Sequence, residues 1–304
     1  MCVLVIGSSN TDFSLKVRSL PKPGETVLGN AFSVQGGGKG ANQAVAAARL
    51  GCEVKFCCKV GSDNNGKTAL DSYRKEGIDD SYFFVDKSER SGVALILVDE
   101  NAENQIAVAP GTNSLLSPLD IDSIEPFSNF EVVLAQLEIP VETVEAICLR
   151  ARKANVKMVL NPAPARKLSE EILGNIDILT PNETEAEILT GVKIENEDDA
   201  FKAAKILCDK GVGHVVITLG QKGAFICDGE KSELVPAFKV EAVDTTAAGD
   251  VFNGALCVAL SEGEDIPSAV RFASAAAALA VTRNGAQDSA PARYEMDSFL
   301  KKQQ

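Results

Sequence analysis

Strand-like and helix-like segments alternate along the chain from about residue 118 onward. Apolar runs that are typical of buried strands cover 132–137, 157–160, 176–179 and 214–219. Apolar residues at helical spacing cover 141–154, the segment that ends at Gly191, 197–211 and 267–280. Parallel strands need a crossover between them, usually a helix, and such units stack with helices on both faces of one sheet. The sequence therefore predicts a doubly wound, mostly parallel α/β fold.

Two segments before residue 118 read as strands that follow one another without a helix between them. They cover 92–98 and 105–109 and are predicted to form a hairpin across 99–103. Together with residues 12–35, the region 90–109 predicts a small β-sheet lid on the larger body. The chain has no internal repeat, low-complexity segment or linker, so we predict a single domain over residues 1–304.

The charge and the single histidine limit the possible functions. A net charge of −13 argues against nucleic-acid binding, which needs basic surfaces, but it allows an anionic nucleotide held by backbone amides and a metal ion. His214 is the one histidine of the sequence and begins a predicted strand. A Ser-His-Asp triad or a centre with several histidines is therefore not expected, and a general base is expected to be a carboxylate.

The cysteines and the hydropathy of the chain predict a cytoplasmic protein. None of the eight cysteines forms a CxxC pair, and most lie in apolar runs, which is typical of buried thiols in a reducing compartment. No apolar run approaches the roughly 18 residues of a membrane-spanning helix. Met1 leads directly into a strand-like run at 3–8, so no signal peptide is expected.

Two aspartates lie six residues apart at the start of an apolar helical pattern. Asp244 and Asp250 are separated by small residues, and apolar residues recur at 251, 252, 255, 256, 259 and 260. Small residues leave the first amides of a helix uncovered, and these amides together with the helix dipole form an anion site. Asp250 would lie beside the anion, where repulsion between two negative charges costs free energy. A chemical role for Asp250 would explain why a carboxylate is placed there. The alternative is that Asp250 only caps an ordinary helix.

Polar residues follow several of the predicted strands. In open α/β sheets ligands bind at the carboxyl ends of the strands, so Asn10 and Asp12 either bind a hydroxyl-rich ligand or form only a polar turn. Later strands are followed by Glu138, Asn161, Asn182 and Thr218, which are expected along the same rim. The glycine-rich segment 36–42 opens a helix and would allow a ligand close to the backbone, although it lacks the spacing of a P-loop.

Three motifs, in order, resemble those of the PfkB family of carbohydrate kinases, also called the ribokinase-like family. Gly36-Gly37-Gly38-Lys39-Gly40-Ala41-Asn42-Gln43 resembles the N-terminal signature of the family. Asn182-Glu183-Thr184-Glu185 resembles its Asn-x-x-Glu motif, and residues 244–255 resemble its C-terminal signature. Segments that resemble the ribose-phosphorylating members in particular are 10–12, 37–44, 161–166, 180–185 and 281–287. The resemblance covers essentially the whole chain.

This resemblance implies a Rossmann-like body, a β-sheet lid that clasps a second subunit in a homodimer, and ATP-dependent phosphorylation of D-ribose at O5 to ribose 5-phosphate. Asp250 resembles the general base, and the amides of Ala247, Ala248, Gly249 and Asp250 resemble the anion hole. Two alternatives stay open. One is another sugar or nucleoside kinase of the family, acting on 2-deoxyribose, fructose or adenosine, and the other is a non-catalytic sugar-binding regulator.

The resemblance also implies binding residues and cofactors. Sugar-binding positions match Asn10, Asp12, Gly38, Lys39, Asn42, Glu138 and Asp250. Nucleotide-binding positions for ATP match Asn182, Thr218, Gly220, Gln221, Lys222, Gly223, Gly249 and Ser274. Glu185 matches a position linked to Mg²⁺ through water. A K⁺ site, formed partly by backbone carbonyls, matches Asp244, Thr246, Ala280, Arg283, Gly285 and Ser289.

Overall fold

Two β-sheets form the framework of the protein, whose computed structural model describes residues 1–101 and 103–303. Ala102, in the predicted hairpin turn, and Gln304, at the end of the predicted domain, lie outside the described residues. The strands, in chain order, are β1 Cys2–Ile6, β2 Asn10–Val17, β3 Gly29–Gly37, β4 Glu53–Gly61, β5 Phe83–Asp86, β6 Gly92–Val98, β7 Asn104–Ala109, β8 Val132–Gln136, β9 Lys157–Asn161, β10 Ile178–Leu179, β11 His214–Thr218, β12 Ala224–Cys227 and β13 Ser232–Val235.

The larger sheet has nine strands in the order β13-β12-β11-β10-β9-β8-β1-β4-β5. Neighbours from β11 to β5 along this order are parallel, and β12 and β13 add an antiparallel hairpin at one edge. The predicted mostly parallel sheet is confirmed. The sequence prediction lacks β5, because four residues are too short a run to show a period and this edge strand pairs with β4 alone.

Helices cover both faces of the larger sheet. Within the part of the chain that the structure describes, they are α1 Lys39–Arg49, α2 Asn64–Lys75, α3 Pro118–Asp122, α4 Val141–Ala154, α5 Glu170–Leu173, α6 Glu183–Thr190, α7 Glu197–Asp209, α8 Ala248–Ser261, α9 Ile266–Ala280 and α10 Arg293–Lys302. Successive residues of a strand point to opposite faces. Val3 and Val5 accordingly join a core with α1, α8 and α9, whereas Leu4 and Ile6 join a second core with α4 and α7. The doubly wound arrangement is thus confirmed, and none of the described helices is long and apolar enough to cross a membrane.

The smaller sheet has four strands in the order β3-β2-β6-β7 and occupies the region where the lid is predicted. β2 lies at its centre, antiparallel to β3 and parallel to β6. Because β2 begins at Asn10 and pairs on both sides, Asn10 and Asp12 lie on a strand of this sheet. Their interpretation as a polar turn is therefore wrong.

Candidate active site

Helix α8 brings the second aspartate of the 244–250 segment against helix α1. Residues Asp250 to Ser261 of α8 are all buried. The two helices approach closely at Gly254, where a Cβ atom would lie 2.6 Å from the backbone oxygen of Gln43 and 2.8 Å from the Cβ of Ala46. Asp250, one helical turn before Gly254, therefore faces the N-terminal half of α1.

The start of α8 leaves backbone amides free to bind an anion. Ala247 precedes the helix with φ of 58°, a left-handed conformation that turns the chain sharply into α8. The amide of Ala248 donates to the Thr245 carbonyl at 3.3 Å. The amides of Gly249 and Asp250 have no backbone acceptor among the described residues. They form the uncovered part of the predicted anion site.

Asp250 is held by two side-chain amides of α1 and is 6% exposed. Asn42 Nδ2 donates to its Oδ2 at 2.9 Å, and Gln43 Nε2 donates to its Oδ1 at 3.0 Å. The start of α8 has no side-chain cap, and Asp250 lies inside its first turn. The interpretation of Asp250 as a simple helix cap is therefore wrong. Asn42 Oδ1 is buried and has no partner among the described residues, so it is available to a ligand.

The glycine-rich segment packs closely on the end of β1. A Cβ on Gly40 would lie 2.6 Å from the backbone of Gly7, and Gly38, with φ of 90°, leaves no room for one next to the Asn10 amide. Glu138 fixes the same turn, since its Oε2 accepts from the Lys39 amide at 3.0 Å and from the Ser8 hydroxyl. These glycines therefore serve close approach of protein backbone to protein backbone, in addition to any approach by a ligand.

Asp12 and Asn10 face this glycine-rich turn from strand β2. A Cβ on Gly37 would lie 2.2 Å from Asp12 Oδ2, so only glycine leaves space for this carboxylate. Burial, together with the nearby charges of Glu138 and Asp250, raises the pKa of Asp12 to about 6. Asn10 Oδ1 accepts from Asn113 Nδ2 at 2.7 Å, which directs the Asn10 amide nitrogen away from that bond.

A cleft of about 430 Å³ opens in front of Asp250. Predicted site residues that line it are Lys39, Asn182, Glu185, Thr218, Gly220, Ala247, Ala248, Gly249 and Asp250. The negative charge of Asp250 raises the pKa of the Lys39 ammonium, against the opposing effect of burial. Burial raises the pKa of Glu185, and the charge of Asp250 adds to this shift. Together with Glu183, which also lines it, the cleft thus brings three carboxylates and one lysine to the free amides of α8.

Asn182 and Glu185 also organise the start of α6 next to the cleft. Asn182 Oδ1 accepts from the Glu185 amide at 2.8 Å, and Glu185 Oε2 accepts from the Asn182 amide at 2.9 Å. This reciprocal pair is a capping box, which satisfies two amides at the helix start. It fixes the direction of the Glu185 carboxylate at the edge of the cleft.

Four of the predicted nucleotide-binding residues do not line this cleft. Gln221 and Lys222 are exposed on a short 3-10 turn at Gly220–Lys222, which Gly223 ends with φ of 114°. Lys222 lies 3.9 Å from Glu183. Ser274 is buried on α9. Their assignment to the nucleotide stays a prediction.

Asp244 joins the two segments that the K⁺ prediction names. Its Oδ1 accepts from the Thr246 amide and its Oδ2 from the Gly285 amide, each at 2.9 Å. Burial alone would raise the pKa of Asp244, but these hydrogen bonds lower it. Of the other predicted ligands, Arg283 pairs with Glu295 at 2.6 Å, and Ser289 is buried with its hydroxyl on the Ala286 carbonyl. The described residues hold no cluster of three or more His, Cys, Asp or Glu side chains arranged for a metal ion.

Several residues of the site have no assigned role in the sequence prediction. They are Gln43, Gln136, Asn113, Thr180 and Asn253. Asn253 Nδ2 donates to the Gly249 carbonyl at 2.8 Å, and Thr180 donates to Asn253 Oδ1 at 2.6 Å. The available signal is weak: Gln43 and Asn253 are polar residues at buried positions of their helices, but the side chains of Gln136 and Thr180 that bond to them are far away in sequence.

Known proteins resemble this chain over nearly its full length. The family described as pfkB family carbohydrate kinase matches residues 2–293. The ribokinase of Haemophilus influenzae is 48% identical over 97% of each chain. The deoxyribokinase of Salmonella typhimurium is 38% identical over 99% of each chain. A structure of Arabidopsis thaliana ribokinase complexed with ribose and ATP superposes with a TM-score of 0.91 at 33% identity, covering 98% of each chain.

Proposed function

Because the chain belongs to the pfkB family of carbohydrate kinases, we propose that it is an enzyme that transfers the γ-phosphoryl group of ATP to O5 of D-ribose. Its similarity to the ribokinase of Haemophilus influenzae supports ribose as the sugar that accepts the phosphoryl group. The similarity to a ribokinase structure that contains ribose and ATP supports both substrates. A non-catalytic regulator is disfavoured, because the candidate base and the candidate anion site are both intact.

The surroundings of Asp250 are the observation that carries this proposal. A buried carboxylate lies directly beside two free amides at the start of α8. Asn42, which holds that carboxylate, has its Oδ1 buried and unpaired among the described residues. A base, an anion site and an acceptor for a sugar hydroxyl therefore lie close together. Phosphorylation of an alcohol needs this set of groups.

In the proposed reaction, Asp250 accepts the O5 proton as O5 forms its bond to the γ-phosphorus. The bond from that phosphorus to the bridging oxygen breaks, and ADP leaves with the electron pair. The amides of Gly249 and Asp250 donate to the charge that develops on the transferring group. Asp12, Asn10 and Glu138 would hold the sugar. Holding both reactants in line can supply roughly 7–11 kcal/mol of the barrier.

Glu185 fits a role near Mg²⁺, and Asp244 fits a role near K⁺. Mg²⁺ on the ATP phosphates would neutralise part of their charge. Glu185 is fixed at the cleft edge by its bond to the Asn182 amide, and the charges of Lys39 and Asp250 both influence its pKa. Asp244 ties the segment before α8 to the Gly285 turn, where carbonyl oxygens could hold K⁺.

We expect faster turnover in K⁺ than in Na⁺ buffer, and equal rates would contradict the K⁺ site.

A panel of acceptors tests the proposed function. ADP release is measured with ribose, 2-deoxyribose, fructose and adenosine, each with ATP and Mg²⁺. We expect the highest kcat/KM for ribose. A preference for 2-deoxyribose would instead agree with the similarity to a deoxyribokinase. No acceptor-dependent ADP release from any of the four would refute the kinase assignment.

Ribose affinity is expected to fall in mild acid, since Asp12 has a pKa of about 6. The ionised carboxylate accepts hydrogen bonds from sugar hydroxyls better than the neutral acid does. Because the pKa is raised, Asp12 loses its charge as the pH falls through about 6, well above the normal range of an aspartate. Between about pH 7.5 and about pH 5, the ribose Kd measured by calorimetry without nucleotide should rise about tenfold.

The control for this prediction is Asp12→Asn, which removes the titrating group and keeps its shape. This variant should bind ribose more weakly at neutral pH and should show a flat Kd between about pH 7.5 and about pH 5. If it keeps the pH dependence of the unchanged protein, another group is responsible and the role of Asp12 is wrong.

We propose that the lid sheet pairs with a second copy of the chain. Phe32, Val34 and Leu95 share one face of this sheet through their pairing with β2 and are 52–64% exposed. Such an apolar face is typical of an interface.

Leu95→Glu should convert a dimer into a monomer in sedimentation experiments. Leu119→Glu, at a leucine 79% exposed on α3, is the matched control and should leave the assembly unchanged.

We further propose a cytoplasmic location. All eight cysteines are free, and six of them are buried, which suits a reducing compartment. Cell fractionation with alkylation of thiols at lysis would test the location. Recovery of the protein outside the cytoplasm, or with oxidised cysteines, would contradict it.

A further inference from the structure

Two buried glutamines are linked to Asp250, one by a direct hydrogen bond and the other through the first, and the reaction described above uses neither of them. Gln43 is on α1, and Gln136 ends strand β8. Both are fully buried. A buried carboxamide is costly unless its donors and acceptor are paired, so the bonds that these two side chains make indicate what they do.

Both N–H groups and the oxygen of the Gln43 side chain have hydrogen-bond partners. Its Nε2 donates to Asp250 Oδ1 at 3.0 Å and to Asn161 Oδ1 at 3.1 Å. Its Oε1 accepts from Gln136 Nε2 at 2.6 Å. Rotating the carboxamide by half a turn would put an oxygen against the Asp250 carboxylate and an NH₂ group against the Gln136 donor. Gln43 is therefore held as a donor toward Asp250.

Gln136 supplies the bond that fixes this direction. Its Nε2 donates to Gln43 Oε1, while its own Oε1 is buried without a partner among the described residues. Gly7 makes room for it, since a Cβ there would lie 2.0 Å from Gln136 Oε1. Gln136 thus leaves its own buried Oε1 unpaired while its Nε2 donates to Gln43. If the contact between Gln43 and Gln136 served packing alone, the carboxamide of Gln136 would not need this orientation.

The two oxygens of Asp250 are held from different sides. Gln43 binds Oδ1 and Asn42 binds Oδ2, and Asn42 is the residue with an unpaired Oδ1. Gly254 allows α8 close enough to α1 for both bonds to form. With the plane of the carboxylate set in this way, the remaining lone pairs of Asp250 have one direction relative to the cleft.

We propose that Gln43 is a positioning residue for the candidate base, and that Gln136 acts through it by fixing its amide direction. This inference rests on the proposed function, in which Asp250 takes a proton from the sugar. Loss of the Gln43 bond frees the carboxylate to rotate. The transfer step slows as a result, although the binding of both substrates is nearly unchanged.

The test uses Gln43→Met, Gln136→Met and the double variant, because methionine keeps the length of glutamine and removes its hydrogen bonds. Gln43→Met should lower kcat about 10- to 100-fold, which is about 1.4–2.7 kcal/mol of barrier. The Kd values of ribose and ADP should change less than about threefold. Gln136→Met should lower kcat about 3- to 10-fold. The double variant should be no slower than Gln43→Met, because Gln136 acts only through Gln43.

The matched control is Thr143→Val, which removes another buried hydrogen bond, to the Leu116 carbonyl at 2.7 Å, away from the cleft. It should lower the Tm and leave kcat unchanged. An unchanged kcat in Gln43→Met would overturn the proposal. So would additive losses in the double variant, or an equal loss of ribose and ADP binding. If Gln43→Met does not fold, Gln136→Met decides the question, and an unchanged kcat in that variant would overturn the proposal. If the unchanged protein releases no ADP with ribose, the proposed function fails, and this inference fails with it.

Discussion

Replacing Asp250 with asparagine is expected to lower kcat for ribose phosphorylation by about 10³-fold, within the range that a general base contributes. The asparagine amide cannot accept the O5 proton, so attack must proceed from the neutral alcohol. ADP release in a coupled assay at saturating ribose and ATP measures the effect. Ribose binding should weaken only a few-fold, as other residues of the lid and the glycine-rich turn still hold the sugar.

The surroundings of Asp250 indicate that this variant folds. Asn42 and Gln43 both donate to the carboxylate, and an asparagine offers one acceptor and one donor in its place. Asn42 can rotate its amide, since its Oδ1 has no partner among the described residues, and then accepts from the new NH₂ group. The Tm should therefore stay close to that of the unchanged protein. A buried hydrogen-bonding mismatch is avoided, so loss of activity would reflect chemistry.

A control for this variant is Asp120→Asn, which makes the same chemical change at a carboxylate that pairs with Lys59 at 2.6 Å. That change should lower stability and leave kcat unaltered. Ribose-dependent ADP release by Asp250→Asn at a rate near that of the unchanged protein would show that another group takes the proton. The base assignment would then be wrong.

The order of strands and helices was predictable because most strands of the larger sheet are buried on both faces and read as continuous apolar runs. Helices such as α6 also end at a glycine, which is a recognisable stop signal. Helix α4, for example, has the predicted limits of 141–154. β5 escapes prediction because it is short and pairs at one edge only. Asp12 was placed near the site, but its position on a lid strand depends on pairing with β3 and β6, which local sequence does not specify.

The side-chain network behind the site was not predictable in the same way. Gln43 lies in a motif that the sequence identifies, but its partners Gln136, Asn161 and Asp250 are 93, 118 and 207 residues away. Periodicity shows that a position is buried, and it does not show which distant polar group reaches it. The capping box of Asn182 and Glu185, by contrast, is local and follows from a spacing of three residues.

Substitution of Gly249 is expected to separate stability from activity. Gly249 does not have a positive φ, a Cβ built on it meets no atom within 4 Å, and the residue lines the cleft. Alanine in the first turn of a helix is favoured over glycine by about 0.5–1 kcal/mol. Gly249→Ala should therefore raise the free energy of unfolding slightly. The new side chain lies beside the amide that is proposed to bind the transferring phosphoryl group.

Activity should fall as the side chain at position 249 grows. Loss of one anion-hole donor costs about 10²–10³ in kcat, so Gly249→Val should lower kcat by about 10²-fold and Gly249→Ala by less. Gly174→Ala is the control away from the cleft, because Gly174 has φ of −67° and a Cβ there meets only the carbonyl oxygens of Glu170 at 3.3 Å and Glu171 at 4.0 Å. Unfolding in urea and ADP release are measured on the same preparations. If Gly249→Val keeps both full stability and full activity, the phosphoryl group does not bind at the start of α8, since a valine there would occupy its place.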